Sequence, residues 1–79
     1  MSNLAAFNEL ELDGAAPQLV ALGATLAAEI DRQAAVGEGV NAALVTRYAE
    51  LLGDLVAESR ADPKADMLAA LRDAKNRSA

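Results

Sequence analysis

Cysteine, histidine and tryptophan are all missing from this chain of 79 residues. Without thiols there are no disulfides and no thiolate metal sites, and the redox compartment is left open. Without His or Cys the usual zinc ligand sets and the commonest general base are also gone, so carboxylates alone would have to do any metal or acid/base work. The aromatics are Phe7 and Tyr48 only, too few for a platform on which bases stack. No apolar run approaches the roughly 20 residues that span a bilayer, because Glu29, Asp31 and Arg32 interrupt the best candidate. Met1-Ser2-Asn3-Leu4 has no basic region leading into an apolar stretch, so no secretory signal is expected. A soluble cytoplasmic protein is expected, without metal, cofactor, small-molecule substrate or membrane partner.

Positive charge is scarce and unevenly placed. No Lys or Arg precedes Arg32, whereas Glu9, Glu11, Asp13, Glu29 and Asp31 fall in that region; Lys64, Arg72, Lys75 and Arg77 gather at the other end. The net charge of −5 and the pI near 4.4 exclude a protein whose whole surface grips nucleic acid. An acidic head with a mildly basic tail remains.

What the chain does have is alanine, 20 residues of it, within an apolar fraction of 53%. Each alanine buries far less surface than a leucine does at about 25 cal/mol per Å², so a core built this way is thin. A single domain of this size typically holds only about 3–5 kcal/mol of net stability, which makes self-association or a partner the economical expectation.

The pattern predicts an all-α fold. Val36-Gly37-Glu38-Gly39-Val40 breaks an almost continuous Ala/Leu helical pattern into two arms of similar length, and glycine is the usual residue where a helix ends in a positive φ. An antiparallel helical hairpin over residues 15–60 follows, flanked by an N-terminal segment (1–14) and by a C-terminal helix with a basic tail (61–79). Leu4, Phe7 and Leu10 suit a short helix within Asn3 to Leu12, capped by Ser2 or Asn3, though Leu10-Glu11-Leu12 fits an extended segment equally well, before a break at Asp13-Gly14. Pro17 opens the first arm, whose stripe is Leu19, Leu22, Leu26 and Ile30. The second arm, from Val40 or Asn41 to about Arg60, carries Val40, Leu44, Tyr48, Leu51 and Leu55 on one stripe and Val45, Leu52 and Val56 on a second. With Leu22, Leu26, Ile30, Leu44, Tyr48, Leu51 and Leu55 as the hairpin core, Val45, Leu52 and Val56 are left for a third helix or a second copy and are the expected oligomer interface. Gly23 and Gly53 each cost about 1 kcal/mol inside a helix, a cost that close approach of another element can offset. Asp62-Pro63 restarts a helix, edged by Met67, Leu68 and Leu71, and residues 76–79 are expected to fray.

Candidate chemistry is sparse. Glu29 with Asp31, and Glu50 with Asp54 and Glu58, are the carboxylate clusters, but groups spaced along one helix ordinarily form a solvated face. The serines, threonines and Tyr48 have no histidine to activate them. Gly37-Glu38-Gly39 follows a helix rather than a strand and lacks the Lys-Ser/Thr of a phosphate loop, so it is a turn. Lys64, Arg72, Lys75 and Arg77 are candidates for a phosphate backbone or a partner protein, or complement the helix dipole.

Two segments, Arg47-Tyr48-Ala49-Glu50-Leu51-Leu52 and Asp66-Met67-Leu68-Ala69-Ala70-Leu71-Arg72, give residues 17–79 a pattern that resembles the small terminase subunits of tailed phages of actinobacteria. That resemblance implies a ring-forming, non-enzymatic component that helps recognise viral DNA and hands it to a large subunit carrying ATPase and nuclease activity, in the cytoplasm of the host. Many such proteins carry an N-terminal helix-turn-helix domain with basic recognition residues; here the first 31 residues contain no Lys or Arg. The expected role is therefore a homo-oligomeric scaffold or adaptor contacting DNA or the large subunit. The alternative is a regulatory module of inhibitor or antitoxin type whose helical face fills a groove on one protein.

Overall fold

The computed structural model describes residues 2–37, 39–59 and 65–78. Among them the chain is all-α, with α1 (Asn3–Asn8), α2 (Pro17–Val36), α3 (Ala42–Ser59) and α4 (Ala65–Arg77). The helix starts have local causes. Ser2 Oγ accepts from the Ala5 N–H at 3.1 Å, which caps α1. Pro17 stands at the beginning of α2, where its missing N–H leaves nothing unpaired. Asn41 Oδ1 accepts from the Leu44 N–H at 3.2 Å and caps α3, while the Asn41 N–H donates to Gln33 Oε1 at 2.9 Å and fastens the turn to α2. Gly37 ends α2 at φ 81° and Gly39 follows at φ 88°, a conformation that side-chain-bearing residues resist. Glu38 within this turn, the Asp62-Pro63 restart and Lys64 lie outside the described residues.

Of the expectations about the two ends, the C-terminal one is corrected. α1, at Asn3–Asn8, lies within the span expected for it, and Leu10 and Leu12 reach the core from the non-helical link that follows. At the other end α4 continues through Arg77 rather than fraying. The Val40 N–H donates to the Arg77 carbonyl at 3.2 Å, pairing Val40 with Ser78 and tying the tail to the α2–α3 turn.

The seam that α2 buries is Gly23, Ala27 and Ile30, spaced four and three on one face. Leu26 flanks that seam half-buried. Leu22 is 39% exposed, so its place in the expected hairpin core is corrected: one residue before Gly23, it is rotated by about 100° from the seam. Small residues line the closest approach because an aromatic ring fills the space. A Cβ on Gly23 would sit 2.6 Å from the tip of the Phe7 ring and 3.4 Å from Leu55, and Phe7 is itself buried.

α3 buries both of its stripes. Tyr48 and Leu55 are enclosed, and so are Val45 and Leu52; Leu44, Leu51 and Val56 are half-buried against the same core. One cluster joins Val45 and Leu52 to Phe7 of α1 and to Met67 and Ala74 of α4. The expectation that Val45, Leu52 and Val56 form an oligomer interface is accordingly corrected for Val45 and Leu52. Residues of the flanking helices belong to the cluster that encloses Val45 and Leu52, so these two have no face left for a second copy, whereas Val56 keeps part of its surface exposed.

Candidate functional site

The carboxylates do not converge on a catalytic pocket. Glu29 receives hydrogen bonds from Arg32 Nε at 2.9 Å and from Gln33 Nε2 at 3.1 Å. These bonds, Arg32's first, hold its carboxyl well below the usual range, at about 2. Glu50, Asp54 and Glu58 are exposed on α3. Among the described residues no group of three or more His, Cys, Asp or Glu could hold a metal ion.

Asp31 has a different task. The Asn3 and Leu4 N–H groups donate to its Oδ1 and Oδ2 at 2.9 and 2.8 Å, and Asn3 Nδ2 donates to Oδ1 at 3.3 Å. A carboxylate of α2 thus satisfies the first free amides of α1, as a capping residue would, with the added attraction of its charge for the helix N-terminus. No local pattern signals this contact, because it joins residues 27 and 28 positions apart.

Phe7 and Tyr48 meet with ring centroids 6.2 Å apart at 53°, the tilted arrangement that aromatic pairs favour. Tyr48 is 1% exposed, and its hydroxyl finds no hydrogen-bond partner among the described residues. The hydroxyl is thus enclosed with the ring rather than solvated at the rim of the core. Burial, with the Asp31 charge adding to it, pushes this phenol up to about 12.

Among the described residues, exposed large apolar residues are Leu22 and Val36 on α2 and Leu68 on α4; of these, Leu68 stands beside cations, on a helix that carries two unlike faces. Leu68, Arg72 and Lys75, spaced four and three, share one face of the helix. Leu68 is 49% exposed, and both cations are exposed. Arg77, expected to act with them, is turned elsewhere: its Nε donates to Asp73 Oδ2 at 2.8 Å. The other face borders an open groove of about 510 Å³ between α4, the later half of α2 and the start of α1. Alanines 34, 35, 69, 70 and 74 and Ile30 form its apolar lining, and Asp31, Asp66, Asp73 and Arg77 are its charged residues. Sequence reasoning found the cations but missed the groove, whose walls come from helices distant along the chain.

Compared with protein-family models, curated proteins and solved structures, the chain has no significant match. Among the described residues no helix is long and apolar enough to cross a membrane.

Proposed function

We propose that this chain is a non-catalytic helical adaptor of viral DNA packaging, acting as the small terminase subunits it resembles do, and that α4 is its working face. The observation that carries the reading is the exposed Leu68 beside Arg72 and Lys75. An apolar side chain flanked by two cations suits a protein surface, where the leucine anchors and the charges orient. It suits DNA less well. With Arg77 engaged by Asp73, the described part of α4 offers two unpaired cations, and two phosphate contacts give a salt slope of only about −2 in log affinity. The reading treats α2 and α3 as the antiparallel hairpin that holds α4 in place, and assigns DNA recognition to other parts of the packaging machinery.

A large terminase subunit provides the test. It should retain this chain on a column and change its ATPase rate when the chain is added. Arg72→Glu with Lys75→Glu should abolish both effects at unchanged helix content. Failure of the unaltered chain to bind a large subunit from an actinobacterial phage would remove the packaging role.

The runner-up, a regulatory module docked on one unrelated protein, draws on the same exposed face and on the closure of the core within one copy. Capture of a single non-packaging protein, lost in the same double variant, would favour it.

A further inference from the structure

We infer that α1 is a strap that holds α4 on the α2–α3 hairpin, and that undocking α1 releases α4 while the hairpin stays folded. The inference rests on reading α4 as the working face and concerns how that face is controlled. α4 packs more against α1 than against either long helix. Towards α2 it leaves an open groove of about 510 Å³, bordered by Ser2 and Asn3 at the start of α1. The bond from the Val40 N–H to the Arg77 carbonyl, 3.2 Å, is the one hydrogen bond between α4 and another element among the described residues. With α1 gone, little else fastens α4.

The strap is built to come off. A helix as short as α1 does not persist in water, so it is folded only while docked, through the bonds of Asp31 to the Asn3 and Leu4 amides and through the Phe7 ring in the space that Gly23 leaves. Residues 3–8 carry no charged side chain, so no ion pair adds to these. The docked state also contains a defect: Phe7 lies against Tyr48, whose enclosed hydroxyl has no hydrogen-bond partner among the described residues. Once the ring withdraws, water reaches the hydroxyl and that cost disappears. Gly14, at φ 88° with nothing packed around it, gives the following link a pivot. Release changes what α4 offers. Docked, it shows Leu68 beside Arg72 and Lys75; free, it adds Met67, now buried, and Leu71, now half-buried. These three apolar residues share one side of the helix, the arrangement that an amphipathic helix lays into a groove on another protein. α1 is thus an autoinhibitory contact that withholds the broader apolar face.

Native-state hydrogen exchange on the full chain, with peroxide oxidation of Met67 as a second probe, reads this out. Amides of α1 and α4 should share one level of protection, below that at the centres of α2 and α3, as separate cooperative units do. Asp31→Ala should speed exchange at Ala6 of α1 and at Ala70 of α4 by the same factor, about 30-fold, and Met67 should oxidise faster in step with them. Tyr48→Phe should slow all three about fivefold, because the docked state then has no hydroxyl to hydrate. Gly53→Ala acts on α3, which stays folded in the released state. It should therefore slow exchange at the centres of α2 and α3 about fivefold and leave α1 and α4 unchanged. Protection of α4 that ignores Asp31→Ala, rates in α1 and α4 that Tyr48→Phe leaves as they were, or a Gly53→Ala effect equal in all four helices would each overturn the inference. Binding to the large subunit is a separate readout: its failure alongside the expected exchange pattern would remove the packaging role and leave the strap standing, and uniform exchange in a chain that binds would do the reverse.

Discussion

Gly23 and Gly53 each stand in the interior of a long helix, and their surroundings are opposite. Gly23 faces inward, with the Phe7 ring occupying the space a side chain would need and Leu55 beside it; around Gly53 there is open space. One glycine is a fitting for α1, and the other weakens its helix for no structural return. The difference teaches where α1 acts. A six-residue helix is too short to form alone in water, yet it is held by an aromatic ring seated on α2 and by a carboxylate of α2 on its first amides. That end of the molecule depends on specific fit, whereas the outer side of α3 depends on helix propensity alone.

The sharpest way to break the contrast is to remove the ring. Phe7→Ala should cost about 3–5 kcal/mol, enough to unfold much of a domain this small, as read by urea denaturation. Asp31→Ala comes next. Loss of the two backbone bonds should cost about 2 kcal/mol and should speed amide exchange at Asn3 and Leu4 well before α3 is affected. Gly23→Ala should destabilise the fold by about 1–2 kcal/mol, because overpacking against a ring that is itself enclosed outweighs the helical gain. Gly53→Ala should stabilise it by about 1 kcal/mol. Two alanine substitutions of the same sign would show that the glycines are equivalent and that Phe7 yields freely.

Tyr48→Phe gives the subtlest effect at neutral pH, a gain of about 1 kcal/mol from deleting a buried hydroxyl that lacks a partner. Its pH dependence is sharper. The phenol is pushed up to about 12 in the folded chain, while unfolded tyrosine ionises near pH 10. The neutral form is the one the fold favours, so its stabilising effect is intact below about pH 10 and is lost as pH rises towards 12. The phenylalanine variant should lack this alkaline decline in a denaturation series; a decline of equal size in both proteins would place its origin elsewhere.

Much of the fold was legible along the chain. Pro17, Gly37 and Asn41 mark helix ends through chemistry that acts over a few residues, and α2 lies where that chemistry places it. Leu22 misled because stripe counting follows residue size, whereas packing follows the closest approach, and here Gly23, Ala27 and Ile30 provide it. Val45 and Leu52 misled for a related reason. A second apolar stripe shows that cover is needed without showing its source, and the cluster that encloses these residues includes Phe7 and Met67 of the same chain. In the candidate site Arg72 and Lys75 could be found by charge, but the groove could not, since Ala34 and Ala74 become neighbours only when α4 folds back on α2.

Closure of the core within one copy is the claim on which the rest depends, and the unfolding midpoint measured against protein concentration in high salt tests it most directly. A self-contained fold predicts a midpoint that does not move. A midpoint that climbs steadily with concentration, as mass action requires when subunits fold together, would contradict it and return Val45, Leu52 and Val56 to an interface between copies.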